Sequence, residues 1–389
     1  MEQKETRRTL TTFALASFLN DFGSDMIYPI WPTFVLSIAG GNVAILGFID
    51  GLGDAIVSIS QAISGYLADR FKRRKVFVWM GYLFGSVSRI GYAFSAVWDY
   101  LIPFRILDRA GKMRGAPRDA IIADVSTDEN RGRNFGILRA MDNLGAVCGI
   151  IVCLFFILLF GEEQHRTLFL IAAVPSLIGA LLVFLFIKEK RASGVRLYKG
   201  ISLKDFDTNF KLFFLVSAFF ALGSFSYSFL LIFAENFGFQ PLALIMLYLI
   251  FTAVASILSL PFGRLSDRIG RKAVLMLSFV FWGLTCLSSI LIHSYVAIFF
   301  AFVLYGLHKG ALDPVQKAFV SELAPSDFRA SSLGGFQMVV GLCAFPSSFI
   351  AGLLWNQIDL FAPFYFSLVL TATSMAMLVF VKEKRNQSD

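Results

Sequence analysis

Charge is scarce in this chain of 389 residues. Only 16% of them are Asp, Glu, Lys or Arg, against about 25% in soluble globular chains. Histidine is scarcer still, with three residues, and there are four cysteines. Cys148, Cys153, Cys286 and Cys343 all fall in apolar stretches without metal-ligand spacing. They read as small buried hydrophobes, and no structural metal is expected. No GxxxxGK[ST] loop is present, which excludes direct ATP coupling in this chain. No Ser-His-Asp or zinc-protease signature appears, so no enzyme activity and no cofactor are expected. Short loops leave no room for an appended catalytic or binding domain. What remains is apolar: 57% hydrophobic residues, 44 of them Phe, and a mean hydropathy of +0.69.

The apolar residues gather in runs of about 20, the length that crosses a hydrocarbon core as a helix. Twelve spans are expected, at 11–38, 44–67, 76–96, 99–122, 135–160, 167–187, 212–234, 240–262, 273–292, 295–317, 331–355 and 362–381. The first follows a basic N-terminus and superficially resembles a signal peptide. Its apolar run continues through Asn20 and Asp21 to about Ile38, too long for an h-region, so it is expected to stay as a span. The expected fold is an all-α polytopic membrane protein.

Placing the N-terminus in the cytoplasm puts the basic runs at 70–75, 188–211 and 264–272 on the inner side, while the outer segments hold only Arg166. That asymmetry follows the positive-inside rule and places both termini in the cytoplasm. It also accounts for a net charge of +8 without nucleic acid.

The chain repeats itself. GYLADRFKRRK at 65–75 matches GRLSDRIGRK at 263–272, with Asp69 and Asp267 198 positions apart. The same offset pairs Ala120 with Ala318, Asp124 with Glu322, Arg131 with Arg329 and Gly136 with Gly334. Two six-span halves are therefore expected at 1–187 and 212–389, joined by a polar cytoplasmic linker at 188–211. Parallel repeats in a membrane imply halves that rock around a site near the midplane. One chain would then hold a complete path, and a monomer is expected.

At these loops the sequence resembles the major facilitator superfamily. The family's loop between its second and third helices carries Gly, then Asp-Arg, then Gly-Arg and further basic residues. Here Gly65, Asp69, Arg70, Arg73 and Arg74 match it, with Lys72 in place of the central Gly. The second copy, Gly263, Asp267, Arg268, Gly270, Arg271 and Lys272, is closer to the pattern. The resemblance implies that these residues latch a gate. Segments 18–32, 105–124 and 130–149 further resemble a prokaryotic branch described as efflux or solute permeases. Arg105 matches an Arg associated with proton coupling in drug-type members, although the small residue usual four positions later is Arg109. Gly145 and Gly149 fit the antiporter pattern of the fifth helix, but Ile150 stands where a Pro is expected.

Charges inside a membrane cost several kcal/mol and mark function or pairing. Asp21 and Asp25 are four apart on one helical face, as are Asp50 and Asp54. With Arg105, the first two are expected to carry proton coupling, by Asp protonation beside a steering Arg. Candidate cavity residues are Asn20, Tyr28, Asp50, Asp54, Arg109, Arg139, Asp142, Asn143, Tyr305, His308, Asp313 and Gln337. Lys112, Arg114 and Arg118 approach the cytoplasmic end, where they are expected to snorkel or anchor the gate. His308 is a group able to titrate near neutral pH.

Three functions fit. The first is a secondary active transporter of a prokaryotic inner membrane, coupled to protons and exporting an amphipathic or charged organic compound. The second is a facilitative uniporter, or an importer of a polar metabolite or metal chelate. The third is a non-transporting membrane sensor, against which the missing domain and the intact loops both argue. The partners expected are a small organic solute, a proton and the lipid bilayer.

Overall fold

The computed structural model describes residues 2–71, 73–127, 130–188, 207–291, 294–324 and 329–383. Every regular element among them is helical. Two compact units divide the chain: Met1–Gly41 with Leu52–Tyr198, and Asn42–Gly51 with Lys199–Asp389.

The first unit is built from α1 (Glu2–Asp25), α2 (Trp31–Ile38), α3 (Val43–Phe71) from Leu52 onward, α4 (Arg74–Phe94), α5 (Leu101–Ala110), α6 (Gly115–Asp124), α7 (Arg131–Phe160) and α8 (His165–Phe186). The second contains the first residues of α3, then α9 (Thr208–Gly223), α10 (Tyr227–Asn236), α11 (Pro241–Ile269), α12 (Arg271–Leu291), α13 (Tyr295–Leu323), α14 (Arg329–Gln357) and α15 (Ala362–Phe380). Of the expected linker, residues 189–206 lie outside the described residues.

Among the described residues, nine helical segments are long and apolar enough to cross a membrane. Expected spans 11–38, 76–96 and 99–122 are not in that set, and their sequences explain why. Asn20, Asp21 and Asp25 interrupt the first, Arg89 the second, and the charges from Arg105 to Asp119 the third. Two of these spans are also broken helices. α1 ends at Asp25 and α2 begins at Trp31: Pro29 lacks an N–H and disfavours the α region at the residue before it, while Pro32 suits the first turn of the new helix. The span near 99–122 is two α-helices joined by a 3₁₀ turn, Gly111–Arg114. Span 212–234 is broken as well, at Ser224–Ser226.

Helices in lipid gain little from hydrophobicity against each other, so close packing carries their association. In the first unit α1 and α7 meet backbone to backbone. A Cβ added at Gly145 would lie 2.4 Å from the Phe18 carbonyl oxygen, and one at Gly149 2.2 Å from that of Phe22. Around this seam Phe13, Val78, Tyr82, Ile122, Leu138 and Val183 form a fully buried core. In the second unit α13 lies close on α11, with Gly306 against the Phe251 carbonyl and Gly310 against that of Ala255. Apolar side chains also cover the outside, as Leu159 at 72% and Ile257 at 70% exposure show. In water such a surface would aggregate; in a bilayer it is the solvated face.

Candidate functional site

The first unit gathers most of the intramembrane charge along α5 and α6. Arg105 and Arg109 are one turn apart and share a face. Arg114 follows nine residues after Arg105, which in an unbroken α-helix places it about 180° around the axis. The 3₁₀ turn Gly111–Arg114 advances the chain by about 120° per residue and recovers roughly 80° of that offset. The turn fits because Gly81 and Gly111 abut: a Cβ on either would meet the other's carbonyl oxygen at 2.5 or 2.6 Å.

Three guanidiniums lie over aromatic rings: Arg105 over Trp31 at 4.3 Å, Arg109 over Tyr28 at 5.1 Å and Arg114 over Tyr82 at 5.0 Å. Such seats stabilise a desolvated cation and fix its plane. Arg109 Nη1 also donates to the Tyr28 hydroxyl at 3.1 Å. The carboxylates stand further off. Arg109 Nε is 3.7 Å from Asp108, Arg114 Nη2 3.6 Å from Asp21, and Arg118 Nη1 3.5 Å from Asp142. A charge-assisted hydrogen bond spans about 2.7–2.9 Å, so the first two pairs attract without forming one, while Arg118 reaches Asp142 in a long hydrogen bond and holds Asp119 at 3.0 Å through its Nε.

A second arginine is held differently. Arg89 is 2% exposed and donates to the carbonyls of Ala172 (2.7 Å) and Asn20 (3.2 Å), to Ser24 Oγ (2.7 Å) and to Ser176 Oγ. Ser176 donates in turn to Asn20 Oδ1 at 3.1 Å, and Asn20 Nδ2 donates to Asp21 Oδ1 at 2.9 Å. Below them Arg118 donates to Ser17 Oγ at 2.7 Å, and Ser17 meets the Tyr82 hydroxyl at 3.1 Å. One connected network therefore ties α1, α4, α6, α7 and α8 together. Beside it lies a small pocket of about 10 Å³, room for about one water, lined by Ser24, Ile27, Tyr28, Trp31, Arg89, Tyr92, Arg105 and Asp108.

Among the expected residues, Asn20, Asp21, Tyr28, Arg105, Arg109 and Asp142 join this network or pocket. Asp25 closes α1, half-buried, and Asn143 is half-buried on α7. Asp142 takes its guanidinium at 3.5 Å from Arg118, while Arg139, its expected neighbour, is exposed. Arg114 and Arg118 do not snorkel; their side chains are only 10% and 15% exposed. The aromatic ring, the serine and the aspartates hold them inside.

Asp50 and Asp54 share a face but not a unit. Asp54 belongs to the first and acts electrostatically on Arg109. Asp50, 2% exposed, belongs to the second. Its Oδ2 accepts from Ser226 Oγ at 2.9 Å and Ser228 Oγ at 2.5 Å. Ser226 is the N-cap of α10, so the carboxylate faces the positive end of a half-helix. The Ser226 N–H donates to Ser348 Oγ at 3.2 Å.

Tyr305 and His308 come together, 6.1 Å apart, with Trp282 and Phe220 around the imidazole. His308 is fully buried. Its Nδ1 lies 2.9 Å from the Ser278 carbonyl, an acceptor only, so Nδ1 carries the proton and donates. Its Nε2 has no hydrogen-bond partner among the described residues. Asp313 is exposed and Gln337 half-buried.

At the repeated loops the side chains of Gly65, Asp69, Lys72, Arg131 and Arg329 lie outside the described residues, and Arg70 and Arg73 are exposed. Arg74 pairs with Asp124 at 2.5 Å. In the second unit Arg271 pairs with Asp267 at 2.5 Å and Glu322 at 2.9 Å, and Arg268 is exposed. Gly263 lies in open space, whereas Gly270 has φ +104°, and a Cβ there would come 2.7 Å from Glu383. Glu383 accepts from the Arg271 and Lys272 N–H groups. Asp124 and Glu322 are repeat partners, so each unit ties the start of one helix to the end of another.

Sequence reasoning missed Ser17, Ser24, Ser176, Ser226 and Ser228. A serine in an apolar run also packs well without function, so composition gives no signal. Arg89 stood out only as a charge in a span.

The profile of the Major Facilitator Superfamily matches residues 13–219 and 212–389. An uncharacterised MFS-type transporter of Methanocaldococcus jannaschii is 38% identical, over 97% of this chain and 96% of its own. Multidrug resistance protein 1 of Bacillus subtilis is 26% identical over 97% of both chains. Among solved structures, a nucleoside transporter, NupG, aligns with a TM-score of 0.78 at 16% identity, covering 95% of this chain and 99% of the other. A D-xylose-proton symporter aligns with a TM-score of 0.77 at 13% identity, covering 97% and 98%.

Proposed function

The chain belongs to the major facilitator superfamily, and on that premise we propose that it exports a small amphipathic or charged organic compound across a prokaryotic cytoplasmic membrane in exchange for protons. Members of this superfamily are multi-pass transporters of small solutes, often coupled to protons, and not enzymes. The proposal adds twelve spans in two six-helix halves, both termini in the cytoplasm, a single chain as the working unit and alternating access. The names of the Bacillus subtilis relative and of a Streptococcus pneumoniae efflux pump, 28% identical over 79% of this chain and 79% of its own, support export.

The observation that carries coupling is the charged interior of the first unit. Asp21, Asp142, Arg114 and Arg118 lie within an apolar helical body, paired at 3.5–3.6 Å. A carboxylate that exchanges an arginine for water changes its proton affinity. Asp21 and Asp25 are the assigned proton carriers, and Arg105 the group that steers them. Of these, Asp21 has the geometry for an exchange, with Arg114 at 3.6 Å and the Asn20 amide at 2.9 Å.

The test is flux in proteoliposomes holding a pH-sensitive dye, with organic cations, organic anions, amino acids, sugars and metal chelates as solutes. Solute-driven proton movement should appear in the native protein and fall to the liposome background in Asp21→Asn or Asp25→Asn. Saturable flux without proton movement, unchanged in both variants, would overturn coupling and leave a uniporter.

A further inference from the structure

Two acids share one guanidinium between α6 and α7. Arg118 of α6 donates from Nε to Asp119 Oδ1 at 3.0 Å and from Nη1 to Ser17 Oγ of α1 at 2.7 Å. What it offers Asp142 of α7 is a hydrogen bond of 3.5 Å, also from Nη1. The acids differ in their access to water. The Asp119 side chain is 46% exposed and that of Asp142 10%. An exposed carboxylate is solvated whether or not the arginine stays, whereas a buried one needs close donors or a proton. Here the close donor serves the exposed acid, and the buried acid has the long bond.

Charges on every side bear on Asp142. Asp21 of α1, Arg118 of α6, Arg114 of the 3₁₀ turn and Arg139 of its own helix act on it electrostatically. Tyr82 of α4 and Asp119 act on Arg118. Arg139 is exposed, and Arg114 already has Asp21 at 3.6 Å. Asp142 thus stands beside a second carboxylate, and neighbouring carboxylates resist being ionised together. The seam at Gly145, one turn along α7, sets the helix against the Phe18 carbonyl of α1. With those backbones fixed, the part free to move is the long Arg118 side chain.

We propose that Asp142 is a proton carrier of this transporter and that Arg118 is its switching arm. With the proton on Asp142, Arg118 rests on Asp119. When the acid's O–H bond breaks, the electron pair stays on the carboxylate, the proton passes to water, and Arg118 Nη1 closes on the new anion. The assignment rests on the proton-coupled reading above and adds to Asp21 and Asp25 an acid on a different helix.

The experiment is an infrared pH titration of the full-length protein in liposomes, run beside the proton-flux assay. On acidification the native protein should gain a carboxylic acid C=O band that Asp142→Asn lacks and Asp142→Glu displaces. Asp119→Asn should move the midpoint of that band to lower pH by about 1, because Arg118 then has one acid to serve. Misfolding can remove a band but does not produce that shift. Solute-driven proton movement should fall to the liposome background in Asp142→Asn and return in part in Asp142→Glu. A C=O titration unaltered by Asp142→Asn, or a midpoint indifferent to Asp119→Asn, overturns the assignment. So does native-level proton movement in Asp142→Asn; if Asp21→Asn abolishes that movement, coupling stands and only the carrier named here falls. Absence of solute-driven proton movement in the native protein sinks the coupled reading itself, and this assignment with it.

Discussion

Arg89 shows what one buried charge demands. Its partners are two carbonyls and two hydroxyls on two helices, α1 and α8. A lysine has the charge but not the fork, so Arg89→Lys should strand some of these acceptors. Each buried acceptor left unsatisfied costs about 1–3 kcal/mol, so Arg89→Leu should lower the detergent melting midpoint sharply and Arg89→Lys by less. Equal midpoints for all three proteins would refute the clamp. Glycines at the α1–α7 seam give a second test at this scale. Gly149→Ala puts a methyl 2.2 Å from the Phe22 oxygen, whereas Gly136→Ala meets nothing within 4 Å. The first should cost about 1–3 kcal/mol by overpacking, and the second should be neutral or gain about 0.5–1 kcal/mol. Thermal unfolding of the two variants separates them. Sequence alone marked Gly145 and Gly149 only through a family pattern, because what a glycine touches is a property of the neighbouring helix.

The broken helices locate where sequence periodicity stops working. Hydropathy found the span around 212–234 but not its interruption at Ser224–Ser226, since Gly223-Ser-Phe-Ser offers no proline. The break is held instead by Asp50, far away in the chain, through Ser226 and Ser228. The break between α1 and α2 was foreshadowed by Pro29 and Pro32, which have a local backbone mechanism. If Asp50 caps α10, Asp50→Ala should release the first turn while Asp50→Asn keeps an acceptor. Hydrogen exchange over 226–230 should rise in the alanine variant and stay near native in the asparagine one. Equal protection in both variants would assign the turn to its own backbone. Pairing was less legible than placement. The periodicity put Asp21 with Asp25 and Asp50 with Asp54, yet Asp21 answers to Arg114 on α5–α6's joining turn, and Asp50 to serines on α10. Helical spacing sets which residues share a face; the neighbour across that face is set by packing.

Across the whole molecule the repeat is the feature most readable in advance. The offset that paired Asp124 with Glu322 also paired their roles, each receiving an arginine from the helix after the repeated loop. These acids are 61% and 46% exposed, and exposed pairs contribute about 0–1 kcal/mol and weaken with salt. Asp124→Asn and Glu322→Gln should therefore shift the melting midpoint by no more than about 2–4 °C. If the loops latch a gate, solute flux should change far more than stability. Flux that merely follows the small loss of stability would reduce both pairs to fasteners.

The ring of Trp31 also has an optical consequence. It is one of five tryptophans, and a guanidinium rests 4.3 Å from its centre. An indole's emission responds to a charge held that close. Any shift of Arg105 against this ring during transport would change the field at the fluorophore, so the protein carries its own reporter of that movement and needs no attached dye. Loss of the signal in Trp31→Phe would identify the emitter.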